Sequence, residues 1–360
     1  MRKIGGIGKT LVAGAASIVV AATLVACGGT ANKGGGSTGS AADGGGTYKI
    51  SMVTDVGGVN DQSFNQLSWE GLQKLEKDGG VKVGYTESKQ ESDYPTNLDR
   101  AVDGKNNLVW GVGYAMADAV KTAAKQNPDV NFAIIDDAGD TSISNLTGLM
   151  FRSQESSFVA GFIAASQSKT GKVGFVGGQV SDIVDMFEWG YKAGVDYANK
   201  ENGTNVTVSS QYTESFTDEA KGKAIAAKMY SDGCDVIFHA AGGAGKGVID
   251  AAKDANKLII GVDSDQYRYA PKNMLTSALK NVDTAVVDIS KRIRKGEKLG
   301  GKTITLGMED GAVGLAPEHD LMDDKVYDAA QKLMDKIKKG DVKPPANEKQ
   351  YDTWHAELEK

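Results

Sequence analysis

Cysteine is almost absent. The 360 residues hold 2, and one of them, Cys27, sits in an apolar N-terminal segment, so no internal disulfide framework can form. Histidine is equally scarce: His239, His319 and His355 are scattered and lack metal-ligand spacing, which argues against a zinc site. No apolar run reaches the roughly 20 residues that a spanning helix needs. A basic surplus is missing too. The formal net charge is -6, and phosphate binding needs a basic surface, so nucleic acid is not an expected partner. What is present is a 40% hydrophobic, 24% charged composition, that of a folded soluble chain with ample core. At roughly 100–200 residues per domain, the length suggests two domains of one architecture.

The first residues read as an address. Arg2, Lys3 and Lys9 make a basic start, and residues 11–26 are apolar and small, without a charge. Leu24-Val25-Ala26-Cys27-Gly28 then resembles the lipobox of bacterial lipoproteins, in which the cysteine thiol takes a lipid and becomes the first mature residue. The expectation is a signal peptide over 1–27 and membrane attachment through Cys27 on the extracytoplasmic face. Residues 28–46 are almost entirely Gly, Ser, Ala, Thr and Asp. Such a stretch buries too little apolar surface to offset ordering entropy and predicts a flexible tether.

From Tyr48 onward, short apolar runs alternate with amphipathic segments. The expected strands are 48–54, 81–86, 108–113, 131–136, 146–151, 172–177, 205–211, 235–240, 258–262 and 275–279, with helical patterns between them. Runs such as Leu258-Ile259-Ile260-Gly261-Val262 mark strands covered on both faces, as in parallel sheets. The pattern occurs twice and predicts an α/β fold with two doubly wound sheets. Ligands of such sheets bind beyond the carboxyl ends of the strands, which makes the residues there the candidates.

After the first strand come Asp55, Gly57-Gly58, Asn60, Asp61 and Phe64. Asn60 or Asp61 can cap the following helix, and Phe64 either stacks on a flat guest or packs in the core. The fourth strand ends in Asp136-Asp137, a carboxylate that either accepts ligand N–H groups or caps a turn. In the second half, Phe187 occupies a position much like that of Phe64, so the two rings can sandwich a planar base; base–aromatic stacking is worth about 1–3 kcal/mol in single-strand binders. The loop Ala241-Gly242-Gly243-Ala244-Gly245-Lys246-Gly247 lacks the spacing of a phosphate loop and reads as backbone access to a ligand. Asp263 with Lys280 is the pair suited to a sugar diol. Cys234 reads as a buried, inert thiol, and Trp354 as part of a frayed tail.

Taken together, these residues resemble the basic membrane protein family of lipoproteins, the purine-nucleoside receptor type of ABC-transporter substrate-binding protein. The most specific segments are Asp61-Gln62-Ser63-Phe64-Asn65, Phe187-Glu188-Trp189-Gly190-Tyr191, Gly261-Val262-Asp263-Ser264-Asp265-Gln266 and Ser277-Ala278-Leu279-Lys280-Asn281-Val282-Asp283. The resemblance implies a type I periplasmic-binding-protein fold with three hinge crossovers, near Arg152, Ser277 and residues 311–314. The expected lobes are 47–151 plus 278–312 and 152–277 plus 313–345, followed by a C-terminal tail over 346–360. It also implies a nucleoside in the cleft, a membrane permease as partner and a monomeric receptor. Phe64 and Phe187 would stack on the base, Asn60 and Asp137 read its edge, and Asp55 line the pocket. Gly242, Asp263 and Lys280 would hold the ribose. No nucleophile–base constellation, metal motif or cofactor fingerprint survives inspection, so neither catalysis nor a cofactor is expected. The competing readings are a sugar or sensory receptor on the same fold and, below it, a nucleoside hydrolase; a surface adhesin would need an exposed binding patch, which the sequence does not show.

Overall fold

The computed structural model describes residues 47–360; the expected leader, Cys27 and the tether lie outside the described residues. The chain opens with β1 (Tyr48–Thr54), α1 (Phe64–Lys77), β2 (Val81–Thr86), α2 (Tyr94–Asp103), β3 (Leu108–Val112), α3 (Ala117–Gln126), β4 (Asn131–Ile135) and β5 (Leu146–Phe151). It continues with α4 (Ser153–Gln167), β6 (Lys172–Gly177), α5 (Asp182–Asn202), β7 (Thr207–Tyr212), α6 (Glu219–Ser231), β8 (Val236–Ala240), α7 (Gly245–Ala255), β9 (Leu258–Asp263) and β10 (Met274–Lys280). Last come α8 (Val282–Arg294), β11 (Lys302–Leu306), β12 (Val313–Leu315), α9 (Asp324–Lys338) and α10 (Glu348–Leu358).

The strands form two six-stranded sheets, ordered β11-β5-β4-β3-β1-β2 and β12-β10-β9-β8-β6-β7. Every pairing is parallel except that of β12 with β10. β3 and β8 are buried along their whole length, as strands covered by helices on both faces must be. The edge strands β2 and β7 carry the alternating, partly exposed pattern. Both sheets therefore repeat one doubly wound plan. In each, strand order reverses beside the first strand, between β1 and β3 and between β6 and β8, which places a ligand crevice at those carboxyl ends.

The central helix α4 is buried nearly all round, its small and apolar residues and several serines alike. It lies against α5 at unusually short range. A Cβ on Gly194 would fall 1.9 Å from the Phe158 carbonyl oxygen, and one on Gly161 would fall 2.1 Å from that of Tyr191. Only glycine at these positions lets the two backbones meet.

The chain leaves the first sheet at Arg152, returns after β10, and crosses again over residues 307–312. The second passage differs from the expected Ser277. β10 stays paired with β9 through Leu279 and with β12 at Lys280, so Lys280 belongs to the second sheet. Cys234 is a free, buried thiol. The expected frayed tail is instead the ordered helix α10. Trp354 packs edge-on against Phe158, with ring centroids 5.6 Å apart, and Tyr351 stacks near Trp189 at 5.1 Å.

Candidate functional site: a cleft between two lobes

One cavity lies between the sheets, about 830 Å³ including its mouth, within the usual range for small-molecule sites. Its walls are strand ends. The first lobe contributes Asp55 after β1, Gly113 and Tyr114 after β3, and Asp136 after β4. The second contributes Gly242 after β8, Asp263 at the end of β9 and Lys280 at the end of β10.

The loop after β1 is organised by Asp61. Its carboxylate accepts from the backbone N–H groups of Ser63, Asn65 and Gln66, so it satisfies the free donors at the start of α1. That fixes Phe64, the first residue of α1, on the cavity wall. Asn65 donates to Asp55 Oδ1 at 2.8 Å and to Asp61 Oδ2 at 3.0 Å. Its own Oδ1 is buried without a protein partner, and Asn65 lines the cavity. In the other lobe, Ser181 caps α5 by accepting from the Val184 N–H, and Phe187 follows, 4% exposed and also on the wall. Phe216 joins them there.

Asp136 and Asp263 are counterparts. Each closes the fourth strand of its sheet, and each adopts a left-handed backbone, φ 66° and 62°. Asp tolerates this region better than most residues, and such conformations gather at functional sites. Lys280 Nζ reaches from the second lobe to both oxygens of Asp136 at 2.7 and 2.6 Å. It also stands 4.8 Å from the Phe64 ring centre and 5.9 Å from that of Phe187, so the ammonium sits between rings of opposite lobes. Asp263 accepts the Ser63 hydroxyl across the cleft. Burial raises the Asp263 carboxyl to about 6, against the pull of Lys280 and Ser63. Burial likewise raises Asp55 to about 7, opposed by the Gly57 N–H and Asn65 and reinforced by the charge of Asp61.

The structure brings six of the eight expected cleft residues together: Asp55, Phe64, Phe187, Gly242, Asp263 and Lys280. It separates two. Asn60 is exposed and off the cavity wall; its carbonyl accepts from Lys246 Nζ at 2.8 Å, a link between the lobes. Asp137 is off the wall too. Its carboxylate pairs with Lys121 at 3.2 Å and accepts the Gly139 N–H at 2.7 Å, because the turn after β4 directs Asp136 into the cleft and Asp137 away from it. The expected pairing of Lys280 with Asp263 is corrected as well: the carboxylate bound to Lys280 is that of Asp136. Sequence reasoning passed over Asn65, Tyr114 and Phe216; it named Asp61 only as a cap, and named Asp136 beside Asp137 without giving it the cleft. Tyr114 stands two residues beyond β3, where a rule of inspecting strand ends finds it. Phe216 carries no such signal.

Two doubly wound lobes enclosing an acceptor-rich, aromatic cavity define a solute-binding protein of the periplasmic-binding type. The chain belongs to the family of PnrA-like ABC transporter substrate-binding proteins, whose signature it matches over residues 49–348. It is 38% identical over 315 residues to basic membrane protein A of Borreliella burgdorferi, covering 86% of this chain and 91% of that protein. It is 39% identical over 319 residues to the ABC transporter nucleoside-binding protein BmpA of Lactococcus lactis, covering 83% and 89%. Among solved structures, an ABC transporter solute-binding protein from Aeropyrum pernix superposes with a TM-score of 0.78 at 27% identity, covering 87% of this chain and 97% of that one. The protein is thus an extracytoplasmic substrate-binding component of an ABC importer, and its family and fold are those of non-catalytic binders.

Proposed function

We propose that the protein captures nucleosides, purine nucleosides foremost, and delivers them to a membrane permease while tethered through a lipidated Cys27. The observation that carries the ligand is the pairing of Phe64 and Phe187, rings from opposite lobes, with a carboxylate-rich wall in one cavity. Asp263 and the free side-chain carbonyl of Asn65 are acceptors, and Asp55, raised to about 7, can accept or donate, so a guest with donors suits this wall. A ribose diol and the N–H groups of a base are such donors, and a flat base can stack on an aromatic ring. Gly242, with φ 53°, brings backbone close to the guest. The 39% identity to a protein named for nucleoside binding supports the same reading.

Calorimetric titration of the purified protein with adenosine, guanosine, inosine, cytidine and uridine tests it, beside arabinose and galactose as controls. Purine nucleosides are expected to bind tightest and to be recovered intact. Heat from the sugars alone would make the protein a sugar receptor, and release of free base would make it a hydrolase. Asp263→Ala is expected to weaken riboside binding at least about tenfold, the loss of a hydrogen bond to a charged group. The anchor is tested separately: Cys27→Ala should move the protein from the membrane fraction to the medium or periplasm.

A further inference from the structure

Beneath the second lobe's cavity wall, Gln266 is 1% exposed and lies outside the cavity lining. Both ends of its amide are engaged. Oε1 accepts from the Val262 N–H at 3.1 Å and from His239 Nε2 at 3.0 Å. Nε2 donates across the lobe boundary to the Gln62 carbonyl oxygen at 3.0 Å. A backbone N–H on one end and a backbone carbonyl on the other leave no ambiguity about which end of the amide is which. The Gln266 N–H in turn donates to Ser277 Oγ at 3.1 Å, on β10.

The surroundings are shaped to this side chain. A Cβ on Gly261 would fall 2.6 Å from both Gln266 Oε1 and Ser277 Oγ, so β9 admits the amide only through a glycine. His239 is fully buried, and a Cβ on Gly245 would lie 2.3 Å from its ring. Burial pushes the His239 imidazole down to about 4, so the ring is neutral and presents Nε2–H as a donor.

What the amide joins is informative. Val262 immediately precedes Asp263, whose left-handed backbone turns its carboxylate into the cavity. Gln62, itself at φ 59°, immediately precedes Ser63, which donates to that same carboxylate. One buried side chain thus ties the two peptide segments, one from each lobe, that meet on Asp263.

We propose that Gln266 is a positioning residue and the buried latch of the closed cleft, holding the Asp263 turn in its binding conformation and joining it to the first lobe only when the lobes are together. The Val262 arm and the Gln62 arm are separable. Gln266→Glu keeps an acceptor for Val262 and His239 but, when ionised, turns an acceptor toward the Gln62 carbonyl, so it is measured on the alkaline side of neutrality. Gln266→Ala removes both arms.

The test uses the whole chain and reads each arm. Hydrogen exchange at the Val262 amide needs no ligand: it is expected to quicken at least about tenfold in Gln266→Ala and to stay protected in Gln266→Glu. Dissociation of the tightest-binding nucleoside, by stopped flow, is expected to quicken about tenfold in both variants, with the association rate changed less than threefold; Gln266→Glu, which sets a carboxylate against a buried carbonyl, is expected to melt below the parent. A residue that merely fills space would not separate the two rates, nor the two arms. Unchanged Val262 exchange in Gln266→Ala, or parental dissociation from Gln266→Glu, overturns the proposal. Should Gln266→Ala fail to fold, Gln266→Glu decides. The kinetic arm rests on the nucleoside reading, whose own failure is distinct: the parent protein would then bind no nucleoside, and Val262 exchange with the radius of gyration of parent and Gln266→Glu decides the latch alone.

Discussion

At the scale of single residues, the cleft is governed by how a few buried charges are balanced. Lys280 is 2% exposed and binds both oxygens of Asp136, so neither charge meets bulk water. Removing one partner of such a pair costs about 3–5 kcal/mol, because the other is left buried and uncompensated, whereas a neutral pair is tolerated. Lys280→Met is therefore expected to lower the melting temperature sharply, and Lys280→Met with Asp136→Asn to recover most of the loss. Thermal melts of the two variants check this; equal melting of single and double variants would show that the pair carries no such strain. The same residues show where the sequence stopped being readable. That a carboxylate stands after the fourth strand is plain from Ile134-Ile135-Asp136-Asp137, but which of two adjacent aspartates faces the guest depends on a left-handed turn at Asp136. Asn60 misled for a related reason. Four polar residues precede α1, and among them Asp61 takes the capping role through backbone N–H groups, which leaves Asn60 outside.

At the scale of elements, the apolar runs of buried parallel strands are strong signals, and β1 to β10 follow from them within two residues at every end. The weaker strands escape. β11, Lys302-Thr303-Ile304-Thr305-Leu306, is a polar edge strand whose place is made by β5 beside it. β12 is three residues long and owes its pairing to the returning hinge. The helix α10 has a mixed surface and is held by partners distant in sequence: Tyr351 donates to Asp196 at 2.6 Å, and Trp354 meets Phe158. No local pattern announces such contacts. The packing of α4 on α5 shows the same dependence on distant context. Gly194 looks like a poor helix residue, yet a methyl group there would strike the Phe158 carbonyl. Gly194→Ala gains helix propensity of roughly 1 kcal/mol and loses more to overpacking, typically about 1–3 kcal/mol with backbone displacement beyond that. A lower melting temperature is expected, with ligand affinity changed less than the melt because the contact lies away from the cavity. A stabilised variant would show that α4 and α5 can part without penalty.

At the scale of the whole molecule, the links that cross the cleft include Lys280 to Asp136, Ser63 to Asp263, Gln266 to Gln62 and Lys246 to Asn60. Bringing the lobes together removes water from Asp55 and Asp263, and that makes the closed, folded form sensitive to pH. Asp55 titrates near 7 here against an ordinary value of 3.8, and Asp263 near 6, both raised chiefly by burial. A carboxyl whose value is raised holds more protons in the folded chain than in the unfolded one between those limits. These two carboxyls therefore subtract stability as pH rises from about 4 through about 7, opposite to the usual behaviour of a paired carboxylate, and together they outweigh buried His239, which at about 4 adds stability as pH rises toward 6.5. The melting temperature of the unliganded protein is expected to drop between pH 5 and pH 7.5. Asp55→Asn keeps an oxygen for the Gly57 N–H and for Asn65 but cannot ionise, so it should melt higher than the parent at pH 7.5 and show a shallower decline. Melting curves at half-unit steps decide it: the same slope in parent and variant would mean that Asp55 is ionised and solvated across this range, with the cleft open around it.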